Sequence, residues 1–285
     1  LNWLFISHFN DFIKSLKWLM NNQLSNGGFP THEGEGKGEI GTTARIVRIL
    51  GSKLGDTVSQ DDITKIIENI TERAIKFIEQ NVTEDKCWTR FERDKEKKGK
   101  EEKDEKVTGA TALSILAFIE TKYWREPKYR KLVIDAIKWL INHQNKDGGW
   151  SEEVSDHRDK GRESRIDNTY YVLRAILGSL DKLGMEMNHE LRSKIHKALN
   201  NAIKWVKDNQ EKFTKDLYNT SFYLRTLTLM IKYMDVLRID RKFIHNTLRK
   251  VINKLLKYLG KAYELGYDVY HTELAAISLM ELVRE

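Results

Sequence analysis

The sequence predicts an all-α chain of tandem helical hairpins, and three observations predict it. Proline is nearly absent, Pro30 and Pro127 being the two in 285 residues, and good helix formers dominate, as helix interiors require. One phrase recurs five times: Leu16-Lys17-Trp18, Ile75-Lys76-Phe77, Ile137-Lys138-Trp139, Ile203-Lys204-Trp205 and Leu256-Lys257-Tyr258. A second phrase follows each first one, headed by Thr43, Thr111, Thr169, Thr220 and Thr272, with apolar residues behind it. A repeated period of this size marks a stack of supersecondary units.

In chain order, each aromatic-lysine phrase closes an amphipathic helix. Each threonine opens an apolar helix of roughly 15 to 20 residues, or ~25 Å. The second hairpin starts at Asp61/Asp62 and the fourth at Asn188, residues suited to N-caps. Pro127 suits the first turn of the third hairpin, and Gly55 and Gly184 suit helix stops. About ten helices result. A single hairpin cannot bury its apolar face alone, so neighbouring pairs must stack. An open solenoid and a closed ring both satisfy the period.

Between the phrases lie Gln23-Leu-Ser-Asn-Gly27-Gly28-Phe29 and Gln144-Asn-Lys-Asp-Gly148-Gly149-Trp150. The glycines permit a tight turn, the aromatic folds back as a plug, and the glutamine can bond the loop backbone. The second repeat keeps a relic in Asn81…Cys87-Trp88, and the fourth keeps Gln210. Glutamine, a Gly-Gly pair and an aromatic after a helix ending in Ile-Lys-Trp-Leu resemble the QW-type repeat of squalene–hopene cyclases, class II terpene cyclases and protein prenyltransferase β-subunits. The resemblance covers essentially the whole chain. It implies an α/α toroid of five hairpins in two concentric layers, with the threonine-led helices inside. It also implies one domain over 1–285, with a charged insertion at about 90–106.

In that family, chemistry gathers at the N-termini of the inner helices. Class II cyclases protonate their substrate with the middle acid of an Asp-x-Asp-Asp-Thr motif; here Arg165-Ile-Asp167-Asn168-Thr169 keeps Asp167 as the candidate acid and replaces both partners. Protein prenyltransferases hold zinc by Asp-x-Cys and a later Tyr-His-Thr. Asp216-Leu-Tyr218 and Tyr270-His271-Thr272 occupy those slots with the cysteine replaced, so no metal or other cofactor is expected. Asp85-Lys-Cys87 imitates the missing pair in the wrong repeat. Asp167, Asp216 and His271 are therefore the candidate catalytic residues, each with a capping or rim role as its simpler reading. Arg48, Arg174 and Arg225 all stand five residues after a threonine. They are candidate anion ligands or, alternatively, partners of carboxylates on neighbouring helices. Tyr170, Tyr218, Phe222 and Tyr270, with Tyr171 and Tyr223 beside them, are candidates for lining an apolar pocket.

The damaged motifs favour a non-catalytic binding or interaction module. The alternative is an isoprenoid-binding cyclase-like enzyme using Asp167, and a carbohydrate-active α/α barrel is a weaker one. Expected partners are an isoprenoid or other apolar small molecule, a protein, or an adjoining domain. The net charge of +7, from 49 basic and 42 acidic residues, reads as a dispersed solubilising surface, with nucleic acid disfavoured as a partner. The single cysteine, Cys87, points to a reducing, cytoplasmic compartment. No apolar run is long enough to span a bilayer.

Overall fold

The computed structural model describes residues 9–32, 34–51, 61–91, 106–154, 163–261 and 269–284. The Asp61 and Asp62 side chains expected as caps, the stop at Gly55, and the charged insertion from residue 92 to 105 lie outside what is described. The chain is all-α. The helices are α1 (Phe9–Asn22), α2 (Ile40–Gly51), α3 (Asp61–Gln80), α4 (Thr108–Ile119), α5 (Pro127–Asn142), α6 (Ile166–Leu183), α7 (His189–Asp208), α8 (Leu217–Lys232), α9 (Arg241–Gly260) and α10 (Val269–Arg284). Two single-turn helices, Gln210–Phe213 and Met234–Leu237, flank α8. Among the described residues the only β pairing is three isolated bridges. The aromatic-lysine phrases fall on the odd helices and the threonines on the even ones.

The ends of these helices follow their sequences. Pro127 opens α5, and the Asn188 side chain caps α7 by accepting from the Leu191 N–H at 2.8 Å. Gly184 ends α6, but with φ −56° rather than the left-handed conformation of a glycine stop.

The helices gather into two compact units. The first holds the described residues up to Trp139 with Glu153 and Val154; the second holds the rest from Leu140. In the first, α2 and α4 lie side by side with α3 against α2. In the second, α8 sits between α6 and α10, and α9 packs on α8. The threonine-led helices carry much of each core: every residue of α4 is buried, as are eleven of the sixteen in α8.

The reason threonine recurs is local. The backbone N–H of each loop aromatic donates to a threonine hydroxyl oxygen: Phe29 to Thr43 at 2.9 Å, Trp88 to Thr111 at 3.0 Å and Trp150 to Thr169 at 3.1 Å. Trp88 and Trp150 also donate their indole N–H to the carbonyls of Ile78 and Leu140, each ten residues earlier. The aromatic is thereby satisfied and buried as a plug at the start of its threonine-led helix.

The loops after α1 and α5 are one structure built twice. Leu24 and Asn145 donate to the carbonyls of Gly28 and Gly149, while Gly27 and Gly148 adopt φ +92° and +100°. The Gln23 amide bonds the carbonyls of Gly27 and Ile70, and Gln144 bonds those of Gly148 and Ala198. Each glutamine thus ties its own loop to the next odd helix. The aromatic of that next helix completes the joint. A Cβ added to Gly28 would lie 2.7 Å from the Phe77 ring, and one on Gly149 2.9 Å from Trp205. Trp18, in the first of the five hairpins, is 53% exposed.

The loop after α3 repeats the turn without the glycines. Thr83 donates to the Cys87 carbonyl and Lys86 donates to that of Thr83, but the left-handed slot is filled by Lys86 at φ +66°. A non-glycine residue there costs ~1–2 kcal/mol, against ~0.5–1 kcal/mol for the freedom a glycine loses on folding. Lys86→Gly is therefore expected to stabilise the chain by about 0.5–1 kcal/mol, read as a higher urea midpoint at unchanged slope. A lower midpoint would contradict the assignment of Lys86 to the glycine slot.

Candidate functional site

The residues singled out in sequence divide between the two units. Arg48 lies in the first; the other candidate catalytic, anion-binding and pocket residues lie in the second, on α6, α8 and α10 and at their starts. Asp167 is the second residue of α6, whose N-cap is Arg165 in an extended conformation, so the aspartate is a first-turn carboxylate and not the cap. A carboxylate there is favoured by the helix dipole. It accepts the Asn168 N–H at 2.9 Å, the Arg165 guanidinium at 3.1 and 2.8 Å, and the Tyr218 hydroxyl at 2.6 Å. Arg165 also reaches Glu152 at 2.8 Å. Burial, then the Asp167 charge and its hydrogen bond, push the Tyr218 hydroxyl far above the usual phenol range, so it stays a neutral donor. Asp167, 8% exposed, is saturated by donors, the arrangement of an acceptor-only carboxylate.

Asp216 is the N-cap of α8. Its carboxylate accepts the Asn219 N–H at 2.7 Å and the Asn219 side-chain amide at 2.6 Å. His271, half-buried in the first turn of α10, stands edge-on to Tyr218 with ring centroids 6.0 Å apart and to Tyr270 at 5.6 Å. These positions do not suit a zinc site. Tyr218 is committed to Asp167 and Asp216 to its own helix start. Among the described residues no group of three or more His, Cys, Asp or Glu is placed to hold a metal ion. Cys87 is buried against the Thr83 hydroxyl, and burial pushes its thiol up. Asp85 pairs instead with Lys106 at 2.6 Å.

The recurring arginines follow a rule that extends beyond the arginine slot. Arg48 pairs with Glu120 at 2.7 Å, and Arg225 holds Glu281 by two bonds of 2.8 Å. Glu120 and Glu281 each stand nine residues after the threonine of the neighbouring even helix. Arginine at threonine plus five therefore meets glutamate at threonine plus nine. The fourth repeat has Leu229 in the glutamate slot. Arg174 accordingly turns to the Tyr170 hydroxyl at 2.9 Å and lies 3.7 Å from Glu281.

Aromatic rings form a continuous row here. Tyr171, Tyr170, Phe222 and Tyr218 follow one another with centroids 5.0–5.8 Å apart, before His271 and Tyr270. Arg225 lies over the faces of Tyr170 at 4.7 Å and Phe222 at 5.6 Å. Burial pulls its guanidinium down, but Tyr170 and Glu281 outweigh that, and its net shift is upward. Tyr223 is elsewhere, fully buried against Phe213, with its hydroxyl unpartnered in the structure.

Glu120, Glu281, Glu152 and the proton-donating role of Tyr218 were not legible as site features. The threonine-plus-nine spacing was the signal that could have found two of them. No family model and no curated protein sequence matches this chain.

Proposed function

We propose that this chain is a non-catalytic binding or interaction module on the α/α-toroid plan of prenyltransferases and terpene cyclases. The observation that carries this reading is the saturation of Asp167. All five of its bonds, from Arg165 twice, Tyr218, the Asn168 N–H and, at 3.5 Å, the Asn168 side-chain amide, are donated to it. General-acid chemistry needs a group that presents a proton to the substrate, and these oxygens accept instead. The ring faces that would steady a carbocation are also taken, since Arg225 covers Tyr170 and Phe222. The single cysteine supports a reducing, cytoplasmic setting.

Incubating the full chain with geranylgeranyl diphosphate or squalene, then extracting for mass spectrometry, is expected to yield no cyclised product. Asp167→Asn is expected to lower stability by about 1–3 kcal/mol through its charge-assisted hydrogen bonds. A cyclised product that disappears in Asp167→Asn would refute the reading.

A second reading, an isoprenoid-binding protein, is favoured by the row of rings from Tyr171 to Tyr270. It predicts saturable binding of geranylgeraniol that weakens in Tyr270→Ala, a residue 56% exposed and removable without disturbing the core.

A further inference from the structure

The chain's excess positive charge is not dispersed. Helix α9 carries Arg241, Lys242, Arg249, Lys250, Lys254 and Lys257 and no acidic residue, a formal +6 on twenty residues where the whole chain is +7. All six are exposed, and Lys261 follows them. Ile244, Thr247, Val251 and Leu255 face the core, which fixes the opposite side outward. At 1.5 Å per residue the basic face runs for roughly 30 Å.

The other odd helices do not share this pattern. Each carries an internal acid-base pair on its surface: Lys14–Asp11 on α1, Lys76–Glu72 on α3, Lys138–Asp135 on α5 and Lys194–Glu190 on α7. On α9, among the described residues, none of the six basic side chains pairs with a carboxylate. The acids nearest in sequence flank it, Asp240 as the N-cap and Glu264 four residues beyond Gly260. Six like charges around the exposed side of one helix repel each other in the free protein, and a polyanion relieves that repulsion while releasing its own counterions.

We infer that the outer face of α9 is a docking surface for a nucleic-acid backbone. The middle of the face favours phosphates over a lipid surface. Asn246 and Asn253, both exposed, lie among the basic residues as hydrogen-bonding groups. Leu256, 51% exposed, is the one large apolar side chain on the helix that is exposed, too little for anchoring in a membrane interface. Phosphate contacts of this kind position a duplex without reading its sequence. The inference is independent of the role assigned to Asp167.

The test is fluorescence anisotropy with a labelled random-sequence DNA duplex of about 30 base pairs and the full chain, in a salt titration. Six phosphate contacts give a slope of log K on log[salt] of about −5. The triple variant Lys250→Glu, Lys254→Glu, Lys257→Glu is expected to weaken binding by about 100-fold or more at low salt. A control with the same change in net charge, Lys17→Glu, Lys131→Glu, Lys146→Glu, is expected to weaken it less than about fivefold. Equal losses in both triples, a slope shallower than about −2, or binding to phosphatidylserine vesicles without binding to the duplex would each overturn the inference.

Discussion

Gly148→Ala is expected to cost about 3–5 kcal/mol, the sum of backbone strain and overpacking. Two effects add at this one position. Its φ of +100° lies outside the range that L side chains tolerate, and an added Cβ would stand 2.5 Å from the Asn201 carbonyl oxygen and 2.8 Å from its carbon. The obstacle is backbone, so α7 must move away from the loop. That movement breaks the Gln144 bond to Ala198 and lifts Trp205 from Gly149. The control is Gly184→Ala, where φ is −56° and nothing lies within 4 Å of the added atom; it is expected to change stability by less than about 0.5–1 kcal/mol. Urea unfolding of both variants decides the matter. A Gly148→Ala loss below ~1 kcal/mol would mean that the loop does not bear on the next helix.

The second large effect is expected at Glu281. Its carboxylate holds Arg225, whose side chain is 10% exposed, and also lies 3.7 Å from Arg174. Removing one partner of a buried pair leaves an uncompensated charge and costs ~3–5 kcal/mol; because Glu281 is 28% exposed, solvent reduces this to about 3 kcal/mol for Glu281→Ala. Arg225→Met is expected to cost less, since Arg174 remains beside the orphaned carboxylate. The double variant Arg225→Met, Glu281→Met should recover to within ~1 kcal/mol of the parent. A double variant as unstable as the two single changes added together would show that the residues contribute separately.

The helical class and the hairpin order were legible in the sequence because they rest on local facts. The phrases around Lys17, Lys76, Lys138, Lys204 and Lys257 and the five threonines fix which segments are helices and which of each pair is more apolar. The loop glycines were legible for the same reason. What was not legible required knowing partners fifty or more residues away. Asp167 reads as an acid or a cap until the Tyr218 hydroxyl is seen to bond it from the next threonine-led helix. Arg225 reads as an anion ligand or as the partner of a neighbouring helix's carboxylate until Glu281 is found opposite. Net charge averaged over the chain also hid its concentration on α9, because the acids that cancel the other lysines lie on other helices.

The two glutamine joints have a consequence for how the chain assembles. Gln23 waits for Ile70, 47 residues downstream, and Gln144 for Ala198, 54 residues downstream. Each linkage therefore closes as soon as the following odd-numbered helix has been synthesised, with no need for the far end of the polypeptide. Growth from the ribosome can add hairpins one at a time onto a finished predecessor. Because the loops to be closed stay short relative to the whole, this architecture folds through near-neighbour steps.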